Sequence, residues 1–143
     1  RVYTVTSPHT PNTTEYVTHP TIEAPGDGYV ADLQYALDRV DLPVLTVVAD
    51  VPLLTATDVD RLLDSHTGGS ITGAVPLACK HRLGVSIGRV FEKSGEELAP
   101  CGVNIVGTGP ETVFVFDQNR LAVNVNDRRD ARIAETLLDG GHV

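Results

Sequence analysis

The sequence predicts an α/β layered domain with a mostly parallel central sheet and extra, partly antiparallel strands. Three observations predict it: strand and helix patterns alternate through the first half of the chain, strand patterns cluster in the second half, and an apolar strand at residues 44–49 ends directly in an acid, Asp50. In sheets of this kind, ligands bind at the carboxyl ends of the strands. Asp50 is expected at that edge.

Length and composition describe one acidic globular domain, which we take to span residues 1–143. The net charge of -8 disfavours a nucleic-acid partner, and the scarcity of lysine (only Lys80 and Lys93) suggests a halophilic source. No apolar run approaches the ~20 residues that a membrane helix needs. The start of the chain has no signal-peptide pattern, so we expect a cytoplasmic protein.

The first elements follow from local patterns. Residues 2–7 alternate and are rich in β-branched side chains, which predicts a strand. Residues 8–25 are rich in Pro and Thr and predict a long loop with at most one helical turn, around residues 14–17. Apolar residues at helical spacing predict a helix over residues 28–40, before the strand at 44–49.

The later elements are more strand-rich. Thr55 is a good N-cap and Asp58 follows three residues later, which predicts a capping box and a helix to about Ser65. A last helix is predicted over residues 127–138, ending at Gly140. Strands are predicted over residues 71–78, 84–91, 103–106, 113–116 and 121–125.

The two cysteines, Cys79 and Cys101, lie too far apart for a C-x-x-C motif and are predicted to be buried thiols. The basic stretch CKHR, residues 79–82, has two interpretations. It is either a small patch that meets a pyrophosphate or a solvated turn between two strands.

Asp50 is the first candidate site residue. A buried, unpaired carboxylate costs several kcal/mol, so Asp50 should lie at the rim of the sheet. There it would either hold Mg²⁺ beside a phosphate or accept hydrogen bonds from the amides of the next loop. The spacing leaves both roles open.

Asn126 is the second candidate, because it also ends an apolar stretch immediately before a helix. Its amide oxygen is a hard ligand of the kind that Mg²⁺ accepts. Asn is equally a favoured N-cap, so the sequence leaves a purely structural role open.

Two further segments suggest binding. Gly26 and Gly28 let the backbone approach a flat ligand closely, or simply assist the start of a helix. Asn104 lies inside an apolar strand, where its buried amide needs partners from the protein or from a substrate.

Together these segments resemble a known family. The chain contains APGDGYVADLQYALDRVDLPVLTVVADVPLLT, then APCGVNIVG and LAVNVNDRRDARIAE. This pattern is similar to the archaeal GTP:adenosylcobinamide-phosphate guanylyltransferases, which belong with the molybdenum-cofactor guanylyltransferases and sugar-1-phosphate nucleotidyltransferases. The resemblance covers nearly the whole chain.

The resemblance implies a Rossmann-like nucleotidyltransferase that transfers GMP from GTP to adenosylcobinamide phosphate, a corrinoid, in cobalamin biosynthesis. It implies Mg²⁺ or Mn²⁺ as cofactor, with Asp50 and Asn126 as the catalytic metal ligands. The residues that it implies for the nucleotide are Thr6, Ser7, Pro8, Gly26, Asp27, Gly28 and Tyr29, and those for the acceptor are Gly102 and Asn104.

One part of the family pattern does not occur in this sequence. The family opens with a strand and a Gly-rich loop of the form L-x-G-G-x-G-T-R, which holds the triphosphate. We therefore expect the chain to be N-terminally truncated by roughly 50 residues, judged from the size of a βαβ unit, and to bind GTP weakly or not at all by itself. A central strand would then expose an edge that invites pairing with another chain, as in a homodimer.

Three alternatives remain beside this interpretation. The acceptor could be molybdopterin or a sugar phosphate, or the chain could be a catalytically inactive fragment. A receiver-type signalling domain also places an acid after an apolar strand, but here Pro52 follows Asp50 too closely and Lys80 and Lys93 are the only lysines.

Overall fold

The computed structural model describes residues 1–142 and divides into two compact units, Arg1–Leu42 and Pro43–Val143. Val143, the last residue of the predicted domain, lies outside the described residues. No helix within residues 1–142 combines the length and the apolar character that crossing a membrane requires.

The unit Arg1–Leu42 contains a short parallel strand pair and two helices. Its elements are β1 (Thr4–Thr6), α1 (Thr13–Tyr16), β2 (Thr21–Glu23) and α2 (Tyr29–Leu37). Strand β2 lies in the segment that was predicted to be loop, and it pairs with β1 from Thr4↔Thr21 to Thr6↔Glu23. The other three elements were predicted.

The unit that begins at Pro43 carries the larger sheet, and its described residues include three α-helices and a 3-10 helix. Its elements are β3 (Val44–Val47), α3 (Ala56–Asp64), β4 (Ser70–Pro76), α4 (Leu77–Leu83), β5 (Phe91–Lys93), β6 (Glu96–Val106), β7 (Glu111–Val115), a 3-10 helix (Asn119–Ala122) and α5 (Arg128–Leu138).

The larger sheet is mixed. Its strand order is β3-β6-β4-β7, and β5 pairs with the N-terminal end of β6, residues 96–98. Strand β6 is antiparallel to both β3 and β4, and β7 is parallel to β4, so β3, β4 and β7 run in one direction. This arrangement is the predicted combination of parallel strands with added antiparallel ones.

One face of this sheet forms the core. Alternate residues of β6 are buried there, and helices α3 and α5 add Leu62 and Ile133. Phe116, just beyond β7, is fully buried and packs edge-on against Phe114 at 4.8 Å between ring centroids. Burial of each large apolar side chain stabilises the fold by about 1.5–3 kcal/mol.

Two predicted strands are wrong. Within residues 84–91 only Phe91 is in a strand, because the amide of Ser86 donates to the Asp130 carboxylate (2.8 Å) and not to a neighbouring strand. Residues 121–125 form the end of a 3-10 helix and an irregular segment. Their apolar character reflects burial without strand pairing, since Leu121 and Val123 are fully buried.

The interpretation of the CKHR stretch as a solvated turn between two strands is also wrong. Its other interpretation, a patch that meets a pyrophosphate, stays a prediction. The stretch lies inside helix α4, where Lys80 points inward and is only 4% exposed. The prediction for the cysteines is confirmed, since Cys79 and Cys101 are both buried and unpaired. Burial raises the pKa of the Cys101 thiol to about 11, so it stays protonated at neutral pH.

Helix α3 begins with the predicted capping box. The Asp58 amide donates to the Thr55 hydroxyl (3.4 Å), and the Thr55 amide donates to the Asp58 carboxylate (3.0 Å). The Arg120 guanidinium reaches the same carboxylate at 3.3 Å. Burial by itself would raise the pKa of Asp58, but the bonds from Thr55 and Arg120 outweigh it and lower the pKa.

We expect Asp58→Asn to lower the free energy of unfolding at pH 7 by about 1–3 kcal/mol, since it weakens a buried, charge-assisted network. The folded-state pKa of Asp58 lies below its unfolded value, so the carboxylate stabilises the fold above about pH 4. That contribution is lost as the pH falls through the folded-state pKa. Urea unfolding at pH 7 and in acid would measure both effects.

The matched control is Asp60→Asn, which changes an exposed acid on the same helix and should leave the free energy of unfolding nearly unchanged. A destabilisation by Asp58→Asn that stays the same in acid would contradict the role given to the ionised carboxylate.

Candidate active site

Asp50 lies three residues beyond β3 and is half-buried. Its Oδ1 accepts a hydrogen bond from the Asn124 side-chain Nδ2 at 3.0 Å, and its carbonyl oxygen accepts one from the Val125 amide at 2.8 Å. The alternative role for Asp50 was to accept hydrogen bonds from the amides of the following loop. Within residues 1–142 those amides make no hydrogen bond to this carboxylate. The Asp50 segment is tied to the segment that precedes α5.

Asn126 lies at the end of that segment, and the N-cap alternative for it is wrong. Helix α5 is capped by Asp127, whose Oδ1 accepts from the amides of Arg129 (2.8 Å) and Asp130 (2.9 Å). The Asn126 side chain is exposed and donates from Nδ2 to the Ser86 hydroxyl at 2.9 Å. Its Oδ1 accepts no hydrogen bond from any residue in the described part of the chain.

The orientation of the Asn126 amide follows from Ser86 and Asp130. Ser86 has a single hydroxyl proton, and it donates this proton to the Asp130 Oδ2 at 2.7 Å. The Ser86 oxygen can then only accept from Asn126, so the amide nitrogen faces Ser86 and the amide oxygen faces away. Burial alone would raise the pKa of Asp130, but hydrogen bonds from Ser86 and Asn126 lower it, so it stays ionised.

The two predicted metal ligands therefore lie on adjoining segments. The Asp50 carbonyl is bonded to Val125, the residue immediately before Asn126. Both side chains offer oxygen atoms, which suits Mg²⁺ or Mn²⁺. Within residues 1–142 no group of three His, Cys, Asp or Glu side chains could hold a metal ion by itself. An ion here would take its remaining ligands from substrate or water.

Two residues, Lys80 and Asn124, complete this cluster, although neither was predicted to lie beside Asp50. The Lys80 ammonium donates to the Ala122 carbonyl (2.8 Å) and to the Asn124 Oδ1 (3.3 Å). Burial lowers the pKa of Lys80, while the charges of Asp130 and Asp50 oppose that change. A signal was present for Asn124, which is a second Asn two residues before Asn126. Lys80 lies in the basic stretch CKHR, where no local pattern marks it as buried.

The predicted nucleotide residues lie together within the unit Arg1–Leu42. The His9 Nε2 is 2.7 Å from the Gly26 carbonyl oxygen, and the amides of Gly26 and Asp27 donate to the Asp32 Oδ1 at 2.9 and 3.1 Å. The buried Thr6 accepts at its carbonyl from the Ala24 amide at 2.9 Å. Ser7 and Pro8 continue from Thr6, so one surface brings both segments together.

Helix α2 starts directly after this loop without a side-chain cap, at Gly28. Gly28 has a φ of +109°, and a Cβ there would meet nothing within 4 Å. Tyr29 is exposed. Within residues 1–142 no side chain caps the first amides of this helix, and the role of the loop in binding a nucleotide stays a prediction.

The predicted acceptor residues lie on β6 and have structural partners on other segments. The Gly102 carbonyl accepts from the Val48 amide at 2.9 Å, and a Cβ at this position (φ +84°) would overlap the Val48 side chain. The Asn104 Oδ1 accepts from the Gly73 amide at 3.1 Å, where the register of β4 and β6 shifts. The partner for the Asn104 oxygen thus comes from the protein, and its acceptor role stays a prediction.

The fold recurs in a solved structure, described as a hypothetical transferase from Thermus thermophilus. The two share a TM-score of 0.51 and 19% sequence identity, over 72% of this chain and 45% of that chain. This chain therefore spans less than half of that structure. The predicted α/β layered fold is confirmed.

In sequence, the chain is similar to a particular enzyme, the adenosylcobinamide-phosphate guanylyltransferase of Methanocaldococcus jannaschii. The two are 28% identical over 96% of this chain and 75% of the relative. No protein-family model matches the chain. The resemblance predicted from the sequence motifs is confirmed, and both similar proteins are transferases by name, in agreement with the predicted enzyme class.

We expect Gly26→Ala to destabilise the loop of the Arg1–Leu42 unit. The Gly26 φ of +82° is costly for alanine by about 1–2 kcal/mol, and the added Cβ would lie 2.9 Å from both the His9 ring and Pro8. Thermal unfolding should show a lower midpoint. The control is Gly88→Ala, whose Cβ would meet nothing within 4 Å and which lies outside the left-handed region. Equal midpoints for the two variants would contradict this account.

Proposed function

We propose that the protein transfers GMP from GTP to adenosylcobinamide phosphate and releases pyrophosphate, a step of cobalamin biosynthesis. The observation that carries the proposal is the placement of the Asp50 and Asn126 oxygens on adjoining segments beyond β3. The similarity over nearly the whole chain supports the choice of substrates.

Asp50 and Asn126 are the residues that would hold the divalent ion. Within residues 1–142 the Asp50 Oδ2 and the Asn126 Oδ1 accept no hydrogen bond, while the other polar atom of each side chain is occupied. Mg²⁺ is commonly held by one or two such oxygens together with substrate phosphates. When bound, the ion supplies neutralisation of phosphate charge.

The proposed reaction requires little covalent chemistry from the protein. An oxygen of the acceptor phosphate forms a bond to the α-phosphorus of GTP, and the bond from that phosphorus to the pyrophosphate oxygen breaks. The chain's part is to hold the reactants in line. In the proposal, Thr6–Pro8 and Gly26–Tyr29 bind the nucleotide. Gly102 and Asn104 face the acceptor, and the Asn104 Nδ2 has no hydrogen-bond partner within residues 1–142.

Location and assembly belong to the same proposal. GTP is a cytoplasmic metabolite, so the enzyme would work in the cytoplasm. Within the described residues β3 pairs only with β6, and a second copy of the chain is one candidate for its other edge. The receiver-type alternative is disfavoured, since receiver sheets are parallel and β3 here has an antiparallel neighbour.

In the test, full-length protein is incubated with GTP, Mg²⁺ and one of three acceptors: adenosylcobinamide phosphate, molybdopterin or a sugar 1-phosphate. We expect GMP transfer, followed by mass spectrometry, to the corrinoid alone. Transfer to another acceptor would overturn the substrate and keep the reaction class. Transfer to none would overturn the activity.

We expect Asp50→Asn to slow GMP transfer at least about 100-fold, because the metal loses its anionic ligand. Calorimetric titration with GTP should show weaker binding than wild type when Mg²⁺ is present and equal binding when EDTA removes it. Asp60→Asn, an exposed acid, is the control and should behave as wild type. Equal GTP affinity of wild type and Asp50→Asn in Mg²⁺ would remove Asp50 from the metal site.

A further inference from the structure

Lys80 is an unusual residue in this structure, because lysine is almost never fully buried unless it is paired. Only 4% of it is exposed, and in residues 1–142 it forms no salt bridge. Its ammonium group instead donates to two neutral oxygens, the Ala122 carbonyl and the Asn124 Oδ1. A buried charge in this setting is costly, so its retention calls for a specific role.

The role follows from which groups can donate and which can accept. An ammonium group only donates, so the oxygen of the Asn124 amide must face Lys80. The Asn124 nitrogen then faces the opposite way, where it donates to the Asp50 Oδ1 (3.0 Å) and to the Cys101 carbonyl (3.2 Å). A carboxylate only accepts, so the series of hydrogen bonds from Lys80 through Asn124 to Asp50 is possible in only one orientation of the Asn124 amide.

This series of hydrogen bonds determines which oxygen of the Asp50 carboxylate is left without a partner. One oxygen, Oδ1, is held by Asn124, and the other has no partner within residues 1–142. If the Asn124 amide turned over, its oxygen would face the carboxylate and repel it. Lys80 prevents that reversal, since a reversed amide would also point its NH₂ group at the ammonium.

We propose that Lys80 is a positioning residue, which acts through Asn124 to hold Asp50 with one carboxylate oxygen free for the divalent ion. The proposal rests on the proposed function and adds two residues to its site. Groups that orient metal ligands in this way typically change metal affinity or activity 10–100-fold when they are removed.

The experiment compares full-length wild type with Lys80→Met, which keeps an unbranched side chain, one atom shorter, and removes its donors. Calorimetry would measure GTP affinity with Mn²⁺ and with EDTA, and the Mn²⁺ concentration for half-maximal transfer would be measured in parallel. We expect about 10-fold or more weaker GTP binding in Mn²⁺, unchanged binding in EDTA, and a kcat that recovers at high Mn²⁺. Lys93→Met, at the exposed lysine, is the control and should match wild type.

A second variant, Asn124→Leu, tests the link itself and serves if Lys80→Met fails to fold. It should raise the Mn²⁺ requirement to a similar extent as Lys80→Met. In the double variant the two effects should not multiply, because both substitutions break the same chain. Multiplying effects would show that Lys80 acts independently of Asn124 and would overturn the proposal.

The outcomes also separate this inference from the proposed function. If wild type neither binds GTP with Mn²⁺ nor transfers GMP, the proposed function fails. If wild type does both and Lys80→Met has the same Mn²⁺ requirement, only the positioning role fails. Equal loss of GTP affinity with Mn²⁺ and with EDTA would assign Lys80 to nucleotide binding or to the fold, and would overturn the positioning role.

Discussion

The hydrogen bonds between Asp50 and residues 124–125 are the constraint on which the rest of the site depends. They join segments that lie 74 residues apart in sequence, from the Asn124 Nδ2 to the Asp50 Oδ1. A second bond, from the Val125 amide to the Asp50 carbonyl, fixes the backbones as well as the side chains. The end of β3 and the approach to α5 therefore hold each other in place, and both candidate metal ligands lie on the joined segments.

The segment before α5 needs such partners because it is buried and not part of a sheet. A strand would satisfy its backbone groups in a ladder, but here the Ala122 carbonyl is taken by Lys80 and the Asn126 amide by Asp130. Within residues 1–142 no buried side-chain nitrogen or oxygen lacks a partner. The polar side chains near the site thus support the irregular backbone and orient the candidate ligands at the same time.

The difference between local contacts and contacts distant in sequence explains which features could be predicted. The capping box at Thr55 and the position of Asp50 after a strand depend on residues a few positions apart, and local patterns are sufficient for them. The strand predicted over residues 121–125 failed because apolar alternation reports burial and not pairing. The burial of Lys80 could not be predicted from local patterns, because its partners lie 42 and 44 residues away.

The net charge of the protein also bears on how the candidate site could bind a nucleotide. The chain carries a net charge of -8, so a triphosphate approaching it is repelled at long range. The buried ammonium of Lys80 is directed at Ala122 and Asn124, and its hydrogen bonds are already committed to the protein. In the proposed function, a bound cation would supply part of the neutralisation of the phosphates, and a carboxylate held with one oxygen free is an arrangement that would recruit such an ion. The Asn124 Nδ2 holds the other Asp50 oxygen at 3.0 Å, so the orientation of this amide would matter for the ion as well as for the fold.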